Sequence, residues 1–246
     1  MKKTLLALSV ATVAAALPAV AQAQLAFNAG AVTDYRYRGI SQTRLKPALQ
    51  GGVDYAAGAF YVGAWASTIK WIDDAKGDAK IEVDLYGGYK GEIAKGVGYD
   101  VGILNYWYPS AVTTGWSATP YTNPNTTELY GAITYGPVTA KYSHGVTALF
   151  GNVDSKNSYY VDLSATFDVA GFSVVPHVGY QKVKNTANAS YTDYSLTVSK
   201  DFNGLVPSLA LVGTDADKGF YVPGANANSS KFLGKTSLVL GIKLNF

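Results

Sequence analysis

The chain ends on Thr236-Ser237-Leu238-Val239-Leu240-Gly241-Ile242-Lys243-Leu244-Asn245-Phe246. Leu238, Leu240, Ile242, Leu244 and Phe246 share one parity; Ser237, Gly241, Lys243 and Asn245 share the other, where Val239 is the only apolar intruder. Successive side chains of a strand point to opposite faces, so this segment has one oily face and one wet face and stops on an aromatic. That is the pattern of the closing strand of an outer-membrane β-barrel. On this reading Leu244 and Phe246 form the signal that the barrel-assembly machinery would recognise.

The other end agrees. Lys2 and Lys3 precede an apolar stretch from Leu5 to Val20, and Ala21-Gln22-Ala23 has the small-x-small pattern of signal-peptidase sites. Cleavage is expected between Ala23 and Gln24, with residues 1–23 a signal peptide and residues 24–246 a single barrel domain. The chain has no cysteine, so closure must come from backbone hydrogen bonds rather than disulfides. Charged residues make up only 15% and aromatics 13%, including 19 tyrosines, which suits side chains seated at headgroup level. Without Lys2 and Lys3 the balance is 18 basic against 17 acidic residues, which points to no polyanionic partner and so to no nucleic acid.

After residue 23 no apolar run approaches the roughly 18 residues of a transmembrane helix. In lipid every backbone polar group must be satisfied internally, which leaves a closed antiparallel barrel. Alternation and turn residues place strands at 26–38, 48–56, 59–68, 80–90, 97–107, 126–135, 138–145, 158–169, 172–182, 191–202, 206–214 and 236–246. About 12 strands are therefore expected, with 10 or 14 as the alternatives. Short connections such as Ala57-Gly58, Gly136-Pro137 and Ala170-Gly171 alternate with long ones such as 108–125 and 215–235. Short periplasmic turns, long extracellular loops and two periplasmic termini follow from that alternation. A soluble lipocalin-like barrel would share the periodicity but turn its apolar face inward. The aromatic terminal strand, the aromatics at strand ends and the one-sided loop lengths favour the membrane.

Thr33-Asp34-Tyr35-Arg36-Tyr37-Arg38-Gly39-Ile40-Ser41-Gln42-Thr43, with Pro47 to Tyr55 and Phe60 to Ser67, resembles the TorF family of proteobacterial porin-like proteins. The likeness is densest over residues 27–68. It implies an outer-membrane barrel regarded as a porin largely by inference, without an assigned substrate.

If the first strand runs to residue 38, parity sends Asp34, Arg36 and Arg38 into the lumen, facing Glu82, Asp84, Glu128, Asp162 and Asp193 on other strands. Opposed charges across a narrow lumen would make a transverse field able to filter ions and small polar solutes; the plainer reading is a set of ion pairs bracing a filled barrel. His177 is expected to line or plug the channel. Asp54, Asp100, Asp168 and Asp201 add lumenal acids, against Lys90, Lys141 and Lys243, a slight bias toward cations. Loop 108–125 is long enough to enter the mouth, but an exposed loop is the ordinary outcome and the one expected.

The functional expectation is a porin-like channel in the outer membrane of a Gram-negative bacterium, passing small polar solutes or ions, with membrane lipid as its surroundings. A non-conducting structural or adhesive barrel is the second reading. Hydrolysis is the third and weakest: only His144 and His177 are available as bases, Ser143 lies on the opposite face from His144, and nothing marks Ser158 as activated. No catalytic residue, cofactor or metal is expected, because no His, Cys or carboxylate cluster has ligand spacing.

Overall fold

Alternating segments separated by short turns pair with their sequence neighbours, and the last strand returns to the first. The computed structural model describes residues 23–110, 116, 121–224 and 227–246; all of the expected signal peptide except Ala23 lies outside them. In chain order the strands are β1 (Gln24–Val32), β2 (Arg36–Tyr37), β3 (Ile40–Ser41), β4 (Ala48–Ala57), β5 (Phe60–Thr68), β6 (Ile81–Ala94), β7 (Val97–Trp107) and β8 (Thr126–Tyr135). They continue as β9 (Val138–Gly145), β10 (Tyr159–Ala165), β11 (Phe167–Val169), β12 (Phe172–Lys182), β13 (Tyr191–Ser199), β14 (Leu205–Thr214) and β15 (Ser237–Asn245). One short helix, α1 (Trp71–Asp74), sits in the loop between β5 and β6.

β10 and β11 are one wall strand interrupted at Thr166, since both pair with β12. Every wall pairing is antiparallel, β10 joins β9 to β12, and β1 pairs with both β4 and β15, so twelve wall strands close the circle. The seam is completed at its end by reciprocal backbone bonds: Phe27 N–H to the Phe246 carbonyl at 2.9 Å and Phe246 N–H to the Phe27 carbonyl at 3.0 Å. The two rings stack at 6.0 Å. No helix among the described residues is long and apolar enough to cross a membrane.

The direction of the oily face distinguishes a membrane barrel from a soluble one. Leu25, Phe27, Val62, Leu85, Ile103, Leu129, Leu163, Leu196, Leu211 and the terminal row Leu238, Leu240, Ile242, Leu244 and Phe246 are all exposed. Their neighbours of opposite parity, including Glu82, Asp84, Glu128, Ser143 and Asp193, are buried inside. Exposed apolar residues over the whole wall with charges enclosed is the inverse of a water-soluble barrel. Tyrosine rings also lie flat along the inner wall over strand glycines. A Cβ on Gly179 of β12 would collide with the Tyr160 ring and hydroxyl, and one on Gly63 of β5 with the Tyr86 ring.

Two expectations are corrected. The first strand ends at Val32, not residue 38: after Thr33, whose N–H bonds the Leu240 carbonyl at 2.9 Å, the chain turns inward. Arg38 (φ 45°) and Gly39 (φ 78°) take the two left-handed positions of a tight turn joining β2 to β3, so residues 34–41 form a small hairpin rather than wall. Loop 108–125 is not simply exposed either. Tyr108 and Trp116 are each 2% accessible and pack with Tyr35, Ile69, Ile72 and Tyr106, because so many aromatic rings gain more by burial against one another than by facing water. Of that loop, 111–115 and 117–120 lie outside the described residues.

Replacing Gly179 with Val would force Tyr160 off the inner wall. A loss of about 1–3 kcal/mol is expected for such overpacking, measured as a lower urea midpoint for the folded, heat-modifiable form of the refolded barrel. Val at Gly136, whose added Cβ would meet nothing within 4 Å although its φ is 56°, would cost only backbone strain and serves as the comparison.

Candidate functional site: a latched constriction in the lumen

The hairpin of β2 and β3 is held inside the barrel by Asp34. Its carboxylate accepts from Ser41 Oγ at 2.5 Å, Thr43 Oγ1 at 3.2 Å and Arg36 Nε at 2.5 Å. Arg36 then donates to the carbonyls of Gly39 at 2.8 Å, Leu233 at 3.1 Å and Lys235 at 3.1 Å, stitching the hairpin to the loop before β15. Asp34 and Arg36 therefore fasten a loop. They are inside, as parity suggested, but because the chain folds inward, not because a strand points them there.

Arg38, at the hairpin tip, reaches the wall. Nη2 donates to Glu128 Oε2 on β8 at 2.6 Å and Nη1 to Gln181 Oε1 on β12 at 2.5 Å. These anchors stand on strands separated by β9 and β10, so the guanidinium forms a chord across part of the lumen. It also lies 4.2 Å above the Tyr160 ring and 4.7 Å above that of Tyr37. Burial alone would lower the pKa of Arg38, but the Glu128 carboxylate outweighs it and holds it well above its ordinary value. Arg38 thus stays cationic.

The expected acids fall into two groups. Glu82, Asp84 and Glu128 gather on the β6 to β8 side; Glu82 accepts from Tyr35 at 2.5 Å and Tyr108 at 2.6 Å, and Glu128 additionally from Tyr106 at 3.3 Å. Asp162 and Asp193 gather instead around His177 on the β10 to β13 side, with His177 Nε2 at 2.5 Å from Asp162 and Tyr160 donating to Asp193 at 2.9 Å. Asp168 and Asp201 belong to neither, because they cap short turns, accepting from the N–H of Gly171 at 3.1 Å and Gly204 at 2.6 Å.

Toward the short-turn end a second polar layer follows. Tyr61 donates to Asp100 at 2.6 Å and bonds Tyr130, Tyr86 donates to Asp54 at 2.5 Å, and Lys141 lies 4.1 Å over the Tyr130 ring. Asp54, Lys90, Asp100 and Lys243 keep partial exposure, so this half of the lumen is open to water. Beyond the hairpin, at the long-loop end, the loops enclose a cavity of about 410 Å³ lined by Arg44, Trp71, Phe150, Tyr191, Tyr221 and Leu233 among others.

The serine and histidine candidates for hydrolysis are engaged elsewhere. His144 meets Tyr142 at 3.0 Å and Asn157 at 3.2 Å, while Ser158 donates to the Ser155 carbonyl at 2.5 Å. Sequence reasoning missed the partners that seat the charges, namely Tyr35, Tyr106, Tyr108, Tyr160 and Gln181. Parity alone identifies Tyr106, Tyr160 and Gln181 as inward. No one-dimensional signal marks Tyr35 and Tyr108, which lie in loops.

This architecture is similar to that of a solved structure titled "KdgM porin", with a TM-score of 0.55 over 90% of this chain and 99% of that one, at 7% identity. Weaker likenesses include Pseudomonas aeruginosa OprD (TM-score 0.40, 11% identity, 90% of this chain and 66% of that one) and Acinetobacter baumannii OccAB3 (TM-score 0.40, 13% identity, 91% and 64%). The chain spans about two thirds of the length of the latter two. At 7% identity the likeness to the KdgM porin shows a shared fold and nothing finer. No curated protein matches the chain significantly in sequence. Over residues 16–246 the sequence fits the family described as bacterial protein of unknown function (Gcw_chp), and the chain belongs to that family.

Proposed function

We propose that the protein is an outer-membrane, porin-like channel for passive diffusion of small polar solutes or ions, exported by a cleaved signal peptide and oriented with its termini and short turns in the periplasm. The TorF-like motif over residues 33–43 supports this reading, because it contains both the anchor Asp34 and the latch Arg38 of the inserted hairpin. One observation carries the proposal: a twelve-strand wall, oily outside, encloses a charged lumen that is water-accessible from the short-turn side and is entered by the β2–β3 hairpin. A structural brace needs no water-accessible charged layer at Asp54, Lys90 and Asp100. A hydrolase needs a nucleophile beside its base, and His144 and Ser158 bond to other partners.

Twelve strands lie between small barrels filled by side chains and 16-stranded porins with wide aqueous channels, and the hairpin narrows the bore further. In planar bilayers the refolded protein is therefore expected to give discrete steps smaller than those of a general 16-stranded porin. A stably inserted but electrically silent barrel would overturn the channel reading.

Arg38→Ala is expected to have two effects. Leaving Glu128 buried without its counter-ion should cost about 3–5 kcal/mol, read as a lower urea midpoint. Releasing the hairpin tip should enlarge the conductance step. Unchanged steps in a variant that still folds would show that the latch does not set the bore.

A further inference from the structure

We infer that the cavity at the long-loop end is a binding site for a small aromatic carboxylate, whose ring lies among aromatic side chains while its charge stays toward the rim. The site goes beyond the channel reading and does not depend on it. Two apolar clusters contribute to its lining without merging. Tyr37, Trp71 and Phe150 come from one, Tyr191, Tyr221 and Leu233 from the other. Within each, rings meet edge to face: Tyr37 and Phe150 at 5.3 Å and 77°, Tyr191 and Tyr221 at 5.0 Å and 76°. Backbone bonds fasten the segments that carry them. Trp71 N–H donates to the Gln42 carbonyl at 3.2 Å, Ser41 N–H to the Leu233 carbonyl at 3.0 Å and Leu233 N–H to the Tyr221 carbonyl at 2.9 Å. The β2–β3 hairpin thereby joins both clusters.

Protein interiors leave few voids larger than a water molecule, yet about 410 Å³ stays unfilled among these residues. Its size and its mostly apolar lining are those of a ligand pocket. Water finds few partners in such a room, whereas a planar ring finds the faces and edges of other rings. One polar group is left open inside. Tyr37 and Tyr221 engage Tyr106 and the Ala189 carbonyl through their hydroxyls. Tyr191 is 5% exposed and its hydroxyl has no partner among the described residues, but it is not one of the fully enclosed polar atoms, so it opens on the cavity it lines. It can bond a substituent on the ring.

Charge selects the acid. Of the lining residues only Arg44, Asp74 and Lys76 are charged, two cations against one anion. Asp74 is 2% exposed and is gripped by Arg44, whose Nε donates to Oδ2 at 2.9 Å while Nη2 meets Oδ1. Lys76 is exposed, and the neighbouring acids Asp73 and Asp74 pair with Lys70 and Arg44 instead. A carboxylate loses least solvation at the open edge, and there the Lys76 ammonium attracts it.

Fluorine NMR of fluoronaphthoate with the refolded barrel in dodecylmaltoside tests the site without requiring conduction. Saturable, protein-dependent line broadening is expected above the non-saturable partition into micelles. Val222→Trp, which fills the cavity from a half-buried lining position, should abolish that component. Lys76→Gln, at an exposed position, should weaken it about two- to fivefold, the scale of one exposed ion pair. Heat-modifiable migration verifies that each variant folds, and Lys76→Gln keeps the test decisive if Val222→Trp does not. Naphthalenemethanol, which has the ring without the charge, and octanoate, which has the charge without the ring, should each displace the probe at least about twofold less well than unlabelled naphthoate. No saturable component, or one that a folded Val222→Trp leaves intact, would overturn the site. Unchanged affinity in Lys76→Gln, or equal displacement by the alcohol or by octanoate, would overturn the aromatic acid as its ligand. Saturable binding to a barrel that is silent in bilayers would keep this site and overturn the channel reading.

Discussion

Backbone hydrogen bonding in a medium that offers no water is the constraint on which the rest of this molecule depends. A sheet in lipid cannot leave an edge, because each unpaired N–H or carbonyl on it would cost several kcal/mol. The pairing of β1 with β15, finished by the reciprocal bonds of Phe27 and Phe246, removes the last edge. Once the circle closes, strand alternation leaves the inside no choice but to collect the polar residues. The enclosed charges then have to be satisfied by one another and by tyrosine.

The satisfaction is uneven, and the unevenness is informative. Around Glu82 the hydroxyls of Tyr35 and Tyr108 complete the carboxylate, so this acid is structural. Around Asp34 the hairpin's own hydroxyls and Arg36 do the same. Arg38 carries charge from the hairpin to the wall through its bonds to Glu128 and Gln181, and Tyr35 and Tyr37 tie the hairpin to Glu82 and Tyr106. The barrel is braced where its charges are paired. Toward the short turns, Asp54, Lys90 and Asp100 keep partial exposure, with Tyr86 and Tyr61 donating to the two acids.

Tyrosine does much of this work because it is both flat and polar. Laid over Gly63 and Gly179, the rings of Tyr86 and Tyr160 cover the backbone of the inner wall, while their hydroxyls reach Asp54 and Asp193. A wall of leucines could pack as well but would leave those acids unpartnered. Tyrosine thus stands on both faces, exposed outside at Tyr55, Tyr135 and Tyr142 and supplying hydroxyl donors inside.

The sequence by itself determined the wall: the strand segments, their inward and outward faces, the short and long connections and the count of twelve were legible, because alternation with period two is a local property of each strand. It also identified Glu82, Asp84, Glu128, Asp162, His177 and Asp193 as inward. Only the tertiary structure decided where the first strand stops, that residues 34–41 enter the lumen, that Tyr108 and Trp116 are buried, and which acid meets which base. Arg38 and Glu128 are 90 residues apart in sequence, and Tyr35 and Glu82 are 47 apart. A loop's path is set by contacts made across the closed barrel, so no periodicity along the chain encodes it.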